Sequence, residues 1–255
     1  MVKGLNLFKE SFSRFPDQYV LIGGIACFLA MEEVGLSFRA TKDLDIVLCV
    51  ETLNREFAQA FWQFIRKGGY SHRQKSTGKK LFYRFHSPND QNYPEMLELF
   101  SKKTETILLN DESHLTPISI DDEVVSLSAI LLNKDYYRFI HEGKREIEGL
   151  SVVSHEYLIP LKARAWIDLS NRSAAGLIVD KRDIRKHKND VIRLYQLLSL
   201  NSSITLPESI KQDMRKFIDH LKQDVTIDLK NFGLRNTKFE EVVRNLSQIY
   251  GLLKK

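Results

Sequence analysis

Asp43 and Asp45, two residues apart, are where chemistry first becomes visible in this sequence. They lie in Arg39-Ala40-Thr41-Lys42-Asp43-Leu44-Asp45-Ile46-Val47-Leu48, an apolar stretch that reads as a strand. Side chains of a strand alternate between faces, so Asp43 and Asp45 share one side while Leu44, Ile46 and Leu48 take the other. Two carboxylates side by side repel each other, and in a half-buried strand a cation is the usual relief. A hard divalent ion with oxygen ligands suits them, Mg²⁺ or Mn²⁺ carrying phosphates above all. The same pair can also sit at the solvated end of a strand with no metal at all.

Two further features point the same way. Glu98 is the only acid inside Met96-Leu97-Glu98-Leu99-Phe100, a second apolar strand pattern, where a carboxylate calls for a partner, a ligand or an exposed edge. Glu95 stands next to Pro94 at the strand entrance and is the weaker candidate. Gly23-Gly24 joins the apolar run Tyr19-Val20-Leu21-Ile22 to a helical pattern. Such a turn presents backbone N–H groups at a helix N-terminus, lets an anion approach closely, and suits a triphosphate; alone it is equally an ordinary tight turn.

The order strand, Gly-Gly, helix, strand with Asp-x-Asp, later strand with one acid resembles the nucleotidyltransferase superfamily of polymerase-beta-like fold, over residues 19–100. The resemblance implies that Asp43, Asp45 and Glu98 form the catalytic metal site and that Gly23 and Gly24 bind the triphosphate. Arg39 and Thr41 flank the strand and would assist with the nucleotide, or else serve as surface and loop-capping residues. Gly24 departs from the family, which often has a serine there. The helix between Gly24 and Asp43 also reads as about one turn longer than in the smallest members, roughly four residues.

The second half adds Lys162, which shares a helix face with Leu158, Ala165, Trp166 and Leu169, and Asp190, which shares one with Leu194 and Leu197. An interhelical ion pair or an anion site accounts for charges placed this way. Lys186 and Lys188 belong to a basic stretch, residues 181–193, that is otherwise a solvated helix face. Lys162-Ala163-x-Ala165 and Lys188-Asn189-Asp190, following Arg-x-Thr-x-Asp-x-Asp, look like nucleotidyltransferases of abortive-infection type, including toxins of type IV toxin–antitoxin systems. That narrower resemblance implies that Lys162, Lys188 and Asp190 line the nucleotide side of a cleft. It also implies NTP as substrate and an antitoxin as partner; the acceptor stays open, an RNA end such as tRNA fitting the basic helical half and a protein hydroxyl being a second option. Asn189 interrupts the family's usual basic-acidic dipeptide. Resistance enzymes that modify aminoglycosides or lincosamides share the fold and are the alternative, as is a non-catalytic nucleotide- or RNA-binding module.

The elements that must position these residues are legible from periodicity and turn chemistry. Residues 25–34 and 53–65 read as helices ended by Gly35 and by Gly68-Gly69. Residues 81–86 and 96–100 read as a strand pair around Ser-Pro-Asn-Asp-Gln-Asn-Tyr-Pro, and residues 147–153 as a further strand after a Glu142-Gly143-Lys144 turn. Residues 158–169, 184–200, 209–221 and 239–253 read as helices, the last with capping-box spacing at Thr237 and Glu240. The expectation is an α+β fold: a nucleotidyltransferase domain over residues 1–153, with a mixed sheet and helices, then a helical domain over 154–255. The composition, 43% hydrophobic and 28% charged over 255 residues, is that of a globular chain. No apolar run is long enough for a membrane span, and no signal peptide is evident. Cys27 and Cys49 lie in apolar segments as small core residues, which with the missing leader suggests a reduced, cytoplasmic protein. A net charge of +5 favours anionic partners such as nucleotides or RNA without identifying one.

Overall fold

The computed structural model describes residues 2–71, 83–102, 115–118, 127–224 and 226–253. The chain divides into two compact units, Met1–Leu29 with Arg39–Val153, and Ala30–Phe38 with Ser154–Lys255. The first carries a mixed sheet with helices and the second is helical, so the α+β class expected from the sequence holds.

In chain order the first unit contains α1 (Leu5–Phe12), β1 (Tyr19–Ile22), the start of α2 (Gly23–Glu32), β2 (Asp43–Leu48) and α3 (Arg55–Gly68). There follow β3 (Arg84–His86), β4 (Met96–Ser101), β5 (Leu115–Ile118), β6 (Leu127–Leu131), α4 (Lys134–Glu142), β7 (Lys144–Ile147) and β8 (Leu150–Val153). Among the described residues these strands make one eight-stranded sheet, ordered β5-β6-β4-β2-β1-β8-β7, with β3 added on β4. β2 pairs antiparallel with β1 and parallel with β4. The opposite edge of β4 is divided, β3 pairing with Met96, Leu97 and Glu98, and β6 with Phe100 and Ser101.

One face of this sheet is locked by aromatic rings. Phe8 and Phe12 of α1, Tyr19 of β1, Phe57, Phe61 and Phe64 of α3, and Phe85 of β3 pack in mutual contact, with Phe61 and Phe85 centroids 5.5 Å apart. A buried phenylalanine contributes about 2–3 kcal/mol, so this cluster fixes which way each strand faces. Phe85 is fully buried, and its neighbours Arg84 and His86 are therefore turned to the other face. α3 is well delimited: the Asn54 side chain accepts from the Phe57 N–H at 2.9 Å, and Gly69, at φ +63°, closes the helix. Cys27 and Cys49 are buried thiols, and burial pushes Cys49 up to about 12.

The strand expected over residues 147–153 is instead the hairpin β7–β8, whose turn is Glu148-Gly149, both at positive φ. Two consecutive left-handed residues match the right-handed twist of the flanking strands. The first two residues of the strand expected over 81–86 lie outside the described residues, Tyr83 is a turn residue, and β3 covers the last three.

The second unit is built from α5 (His155–Ala174), α6 (Lys181–Tyr195), α7 (Glu208–Lys222), a 3₁₀ turn (Leu229–Phe232) and α8 (Phe239–Ile249). Residues 196–200, expected to continue the second of these helices, lie beyond the end of α6. Pro160 sits inside α5, and having no N–H it leaves the Glu156 carbonyl without a helical donor. The hydroxyl of the buried Tyr250 donates to that carbonyl at 2.7 Å. The last helix starts one residue later than Thr237 would set it. Glu241, rather than Glu240, accepts from the N–H of Lys238 at 3.2 Å. Among the described residues no helix is long and apolar enough to cross a membrane.

Candidate active site

The sheet register brings the predicted carboxylates together. Asp45 stands directly opposite Glu98 across the parallel β2–β4 pair, and Asp43 lies one step along the same face, opposite Met96. Burial alternates accordingly: Asp43, Asp45 and Glu98 are half-buried while Leu44, Ile46, Leu97 and Leu99 are fully enclosed. On the far side of Glu98 the register partner is Arg84. Arg84, Glu98 and Asp45 thus form one row across three strands. His86, Met96 and Asp43 form the next row.

Glu98 is not idle in that row. Its carboxylate receives both Nε and Nη2 of Arg84, and its side chain is 13% exposed against 44% for the arginine. Both nitrogens converge on the one oxygen Oε1, a charge-assisted contact. Arg84 was not legible as a site residue from the sequence. The signal available was its odd-numbered offset from Phe85, which only the hairpin register converts into a contact with Glu98. Glu95, the weaker sequence candidate, is paired instead with Lys42 at 3.1 Å before the strand begins.

The Gly-Gly turn is closed against the acids. Ile22 pairs with Asp45, so Gly23 follows directly at the edge of the Asp45 carboxylate. A Cβ on Gly23 would lie 1.8 Å from Asp45 Oδ2, and the residue has φ +67°. A Cβ on Gly24 would lie 2.5 Å from Thr41 Oγ1 and 3.7 Å from an Arg39 Nη. Both glycines are thus required by side chains that press onto the backbone, and Gly23, Gly24, Arg39, Thr41 and Asp45 are neighbours. The Arg39 guanidinium also reaches its neighbour's carbonyl, Ala40 O, at 3.4 Å.

The donor chemistry of Asp43, Asp45 and Glu98 suits a hard divalent ion. Among the described residues, however, no three His, Cys, Asp or Glu side chains are grouped so as to hold a metal. Glu98 is held by Arg84, and Asp43 and Asp45 are the oxygen donors that would hold such an ion. Mg²⁺ is ordinarily held by one or two carboxylates together with substrate phosphates, so two aspartates satisfy its protein-side requirement.

Within the second unit, Lys162 and Asp190 meet each other. Lys162 Nζ is 3.1 Å from Asp190 Oδ2, with side chains 4% and 0% exposed. Arg193 adds a second cation to Asp190 at 3.6 Å, and its guanidinium lies over the Phe232 ring at 5.1 Å and the Phe38 ring at 6.0 Å. Lys188 is paired with Asp224. Burial alone would raise the Asp224 carboxyl, but Lys188 and the Thr226 hydroxyl and N–H outweigh it and hold the group below its usual range.

No protein-family model and no curated protein matches this chain. Two solved structures are similar at a distance. JHP933 from Helicobacter pylori is 14% identical with a TM-score of 0.38, covering 97% of this chain and 89% of that one. A structure described as a "putative nucleotidyltransferase from H. pylori" is 16% identical with a TM-score of 0.31, covering 97% and 92%. At these values neither bears on activity, and the functional reading rests on the residues of the site.

Proposed function

We propose that this chain is a metal-dependent nucleotidyltransferase that moves a nucleoside monophosphate from an NTP to an acceptor hydroxyl, with an RNA end as the acceptor. The single observation that carries the reading is the register of Asp45 against Glu98, with Asp43 on the same face and Gly23-Gly24 packed beside them. Three acids on one face of a sheet, next to a strand-to-helix glycine turn, are more than a solvated strand end needs.

In this reading Asp43 and Asp45 would hold the divalent cation. Such an ion neutralises phosphate charge and favours ionisation of a bound hydroxyl. Glu98 takes the acceptor's proton as its oxygen attacks the α-phosphorus, the bond to the β-phosphate oxygen breaks, and pyrophosphate leaves. Arg84 must first exchange the Glu98 carboxylate for a phosphate oxygen, an acceptor that a guanidinium binds equally well. Gly23 and Gly24 keep the helix N-terminus close to the nucleotide, and Arg39 and Thr41 add donors beside it. The buried Lys162–Asp190 pair is read first as a structural link within its own unit.

RNA is favoured by the basic stretch of α6, where Lys181, Arg182 and Arg185 are exposed. The likeness of the Lys162 and Lys188-Asn189-Asp190 patterns to abortive-infection enzymes points the same way. The test is Mg²⁺-dependent thermal stabilisation by NTP. Stabilisation lost in Asp43→Asn and in Asp45→Asn supports the site, and stabilisation unchanged in both variants refutes it.

A further inference from the structure

At the other end of β2 the first unit holds a cavity of about 560 Å³ that the acid site does not use. It begins at Cys49, just past the strand, and a rise of about 3.3 Å per residue puts it roughly 13 Å along the strand from Asp45. Among the described residues four cations line it, Lys102, Lys134, Arg138 and Lys144, against two carboxylates, Asp17 and Glu51, a surplus of two positive charges; Lys144 pairs with Asp17 at 3.4 Å. In a concave, partly desolvated site such a surplus concentrates anions.

The lining is organised by α4. Lys134, Tyr137, Arg138 and His141 recur at helical spacing and so share the face turned to the cavity. Lys134 and Arg138 are exposed, and Arg138 makes a surface pair with Asp135 at 3.1 Å, of the weak and exchangeable kind. The floor is fixed. The Tyr137 hydroxyl lies 2.6 Å from a Glu51 carboxylate oxygen and receives the Val50 N–H at 3.1 Å, while Lys102 pairs with Glu51 and lies over the Tyr137 ring. His141 packs on Tyr137 with ring centroids 4.4 Å apart. Its Nε2 is buried and has no hydrogen-bond partner among the described residues. Burial above all holds this imidazole below its usual value, Glu51 opposing it and Lys144 and Lys102 adding to it.

We infer that this cavity binds a small organic phosphate, its phosphate between the exposed Lys134 and Arg138, its remaining part over Cys49 and the Tyr137 ring. The volume is that of an ordinary small-molecule site. Binding here is independent of the acids on β2 and of any divalent ion.

The test is calorimetric titration of the whole chain in EDTA with three probes: inorganic phosphate, AMP and glucose 6-phosphate. At least one organic phosphate is expected to bind at one site per chain, more tightly than inorganic phosphate. Lys134→Ala/Arg138→Ala, both at exposed positions, should weaken it by at least about tenfold, the loss of a charge-assisted contact. Asp43→Asn should leave binding unchanged. Absence of binding by all three probes, equal affinity in the Lys134/Arg138 variant, or loss in Asp43→Asn would each overturn the assignment.

Discussion

Gly23→Ala offers a quantitative check on how the glycine turn and the acids are joined. Two costs are separable. The first is conformational: at φ +67° an L-residue is in the left-handed region, which costs roughly 1–2 kcal/mol whatever surrounds it. The second is steric: the new methyl would sit 1.8 Å from Asp45 Oδ2 and 2.8 Å from its Cγ, where a contact of roughly 3.5 Å is comfortable. The carboxylate must turn away, an overpacking cost of about 1–3 kcal/mol. Asp45→Ala removes both offending atoms and keeps only Cβ, 3.2 Å distant, which a small shift accommodates. Gly23→Ala should therefore cost about 2–5 kcal/mol in the native background and only about 1–2 kcal/mol in Asp45→Ala. Urea unfolding of the four proteins gives the coupling directly as a double-mutant cycle. Costs equal in the two backgrounds to within about 0.5 kcal/mol would refute the contact.

Other consequences are simpler to state. Arg84→Ala removes a positive charge from the row of acids that contains Asp45 and should tighten Mn²⁺ binding by about fivefold, near 1 kcal/mol for such a partly exposed group, as measured by calorimetry; weaker binding would show that Arg84 helps to hold the site instead. Tyr250→Phe leaves the Glu156 carbonyl without a donor and should cost about 1–2 kcal/mol, an effect that shrinks with Pro160→Ala because an N–H is then restored; thermal melts of the four proteins decide it. The Asp224 carboxyl, held down by Lys188 and Thr226 against burial, contributes stability above its unfolded value that is lost as pH falls through the folded one. Asp224→Asn should thus lower stability by about 1–2 kcal/mol at pH 7, with the gap to the parent closing below roughly pH 4 in pH-dependent melts.

The aspartate pair was legible because a period of two is enough to put Asp43 and Asp45 on one face, and an isolated acid among apolar neighbours was enough to single out Glu98. What joined them was register, which no local pattern carries. The same holds for Arg84, whose contact with Glu98 depends on how β3 is aligned on β4. Lys162 and Asp190 were each visible as a charge on an apolar face, yet their pairing required the packing of α5 against α6. The β7–β8 hairpin was hidden because Glu148 is an unusual residue for a left-handed turn position, and Gly143 drew the turn too early. Lys134, Tyr137, Arg138 and His141 have plain helical spacing, but their common cavity depends on β2 ending beneath them.

The most direct test of the central claim is incubation of the purified chain with each α-³²P-labelled NTP, Mg²⁺ and total tRNA, with Asp43→Asn in parallel. Label is expected on RNA with at least one nucleotide, dependent on Mg²⁺ and absent in the variant. Equal labelling by Asp43→Asn, or no transfer of label from any nucleotide, would contradict it.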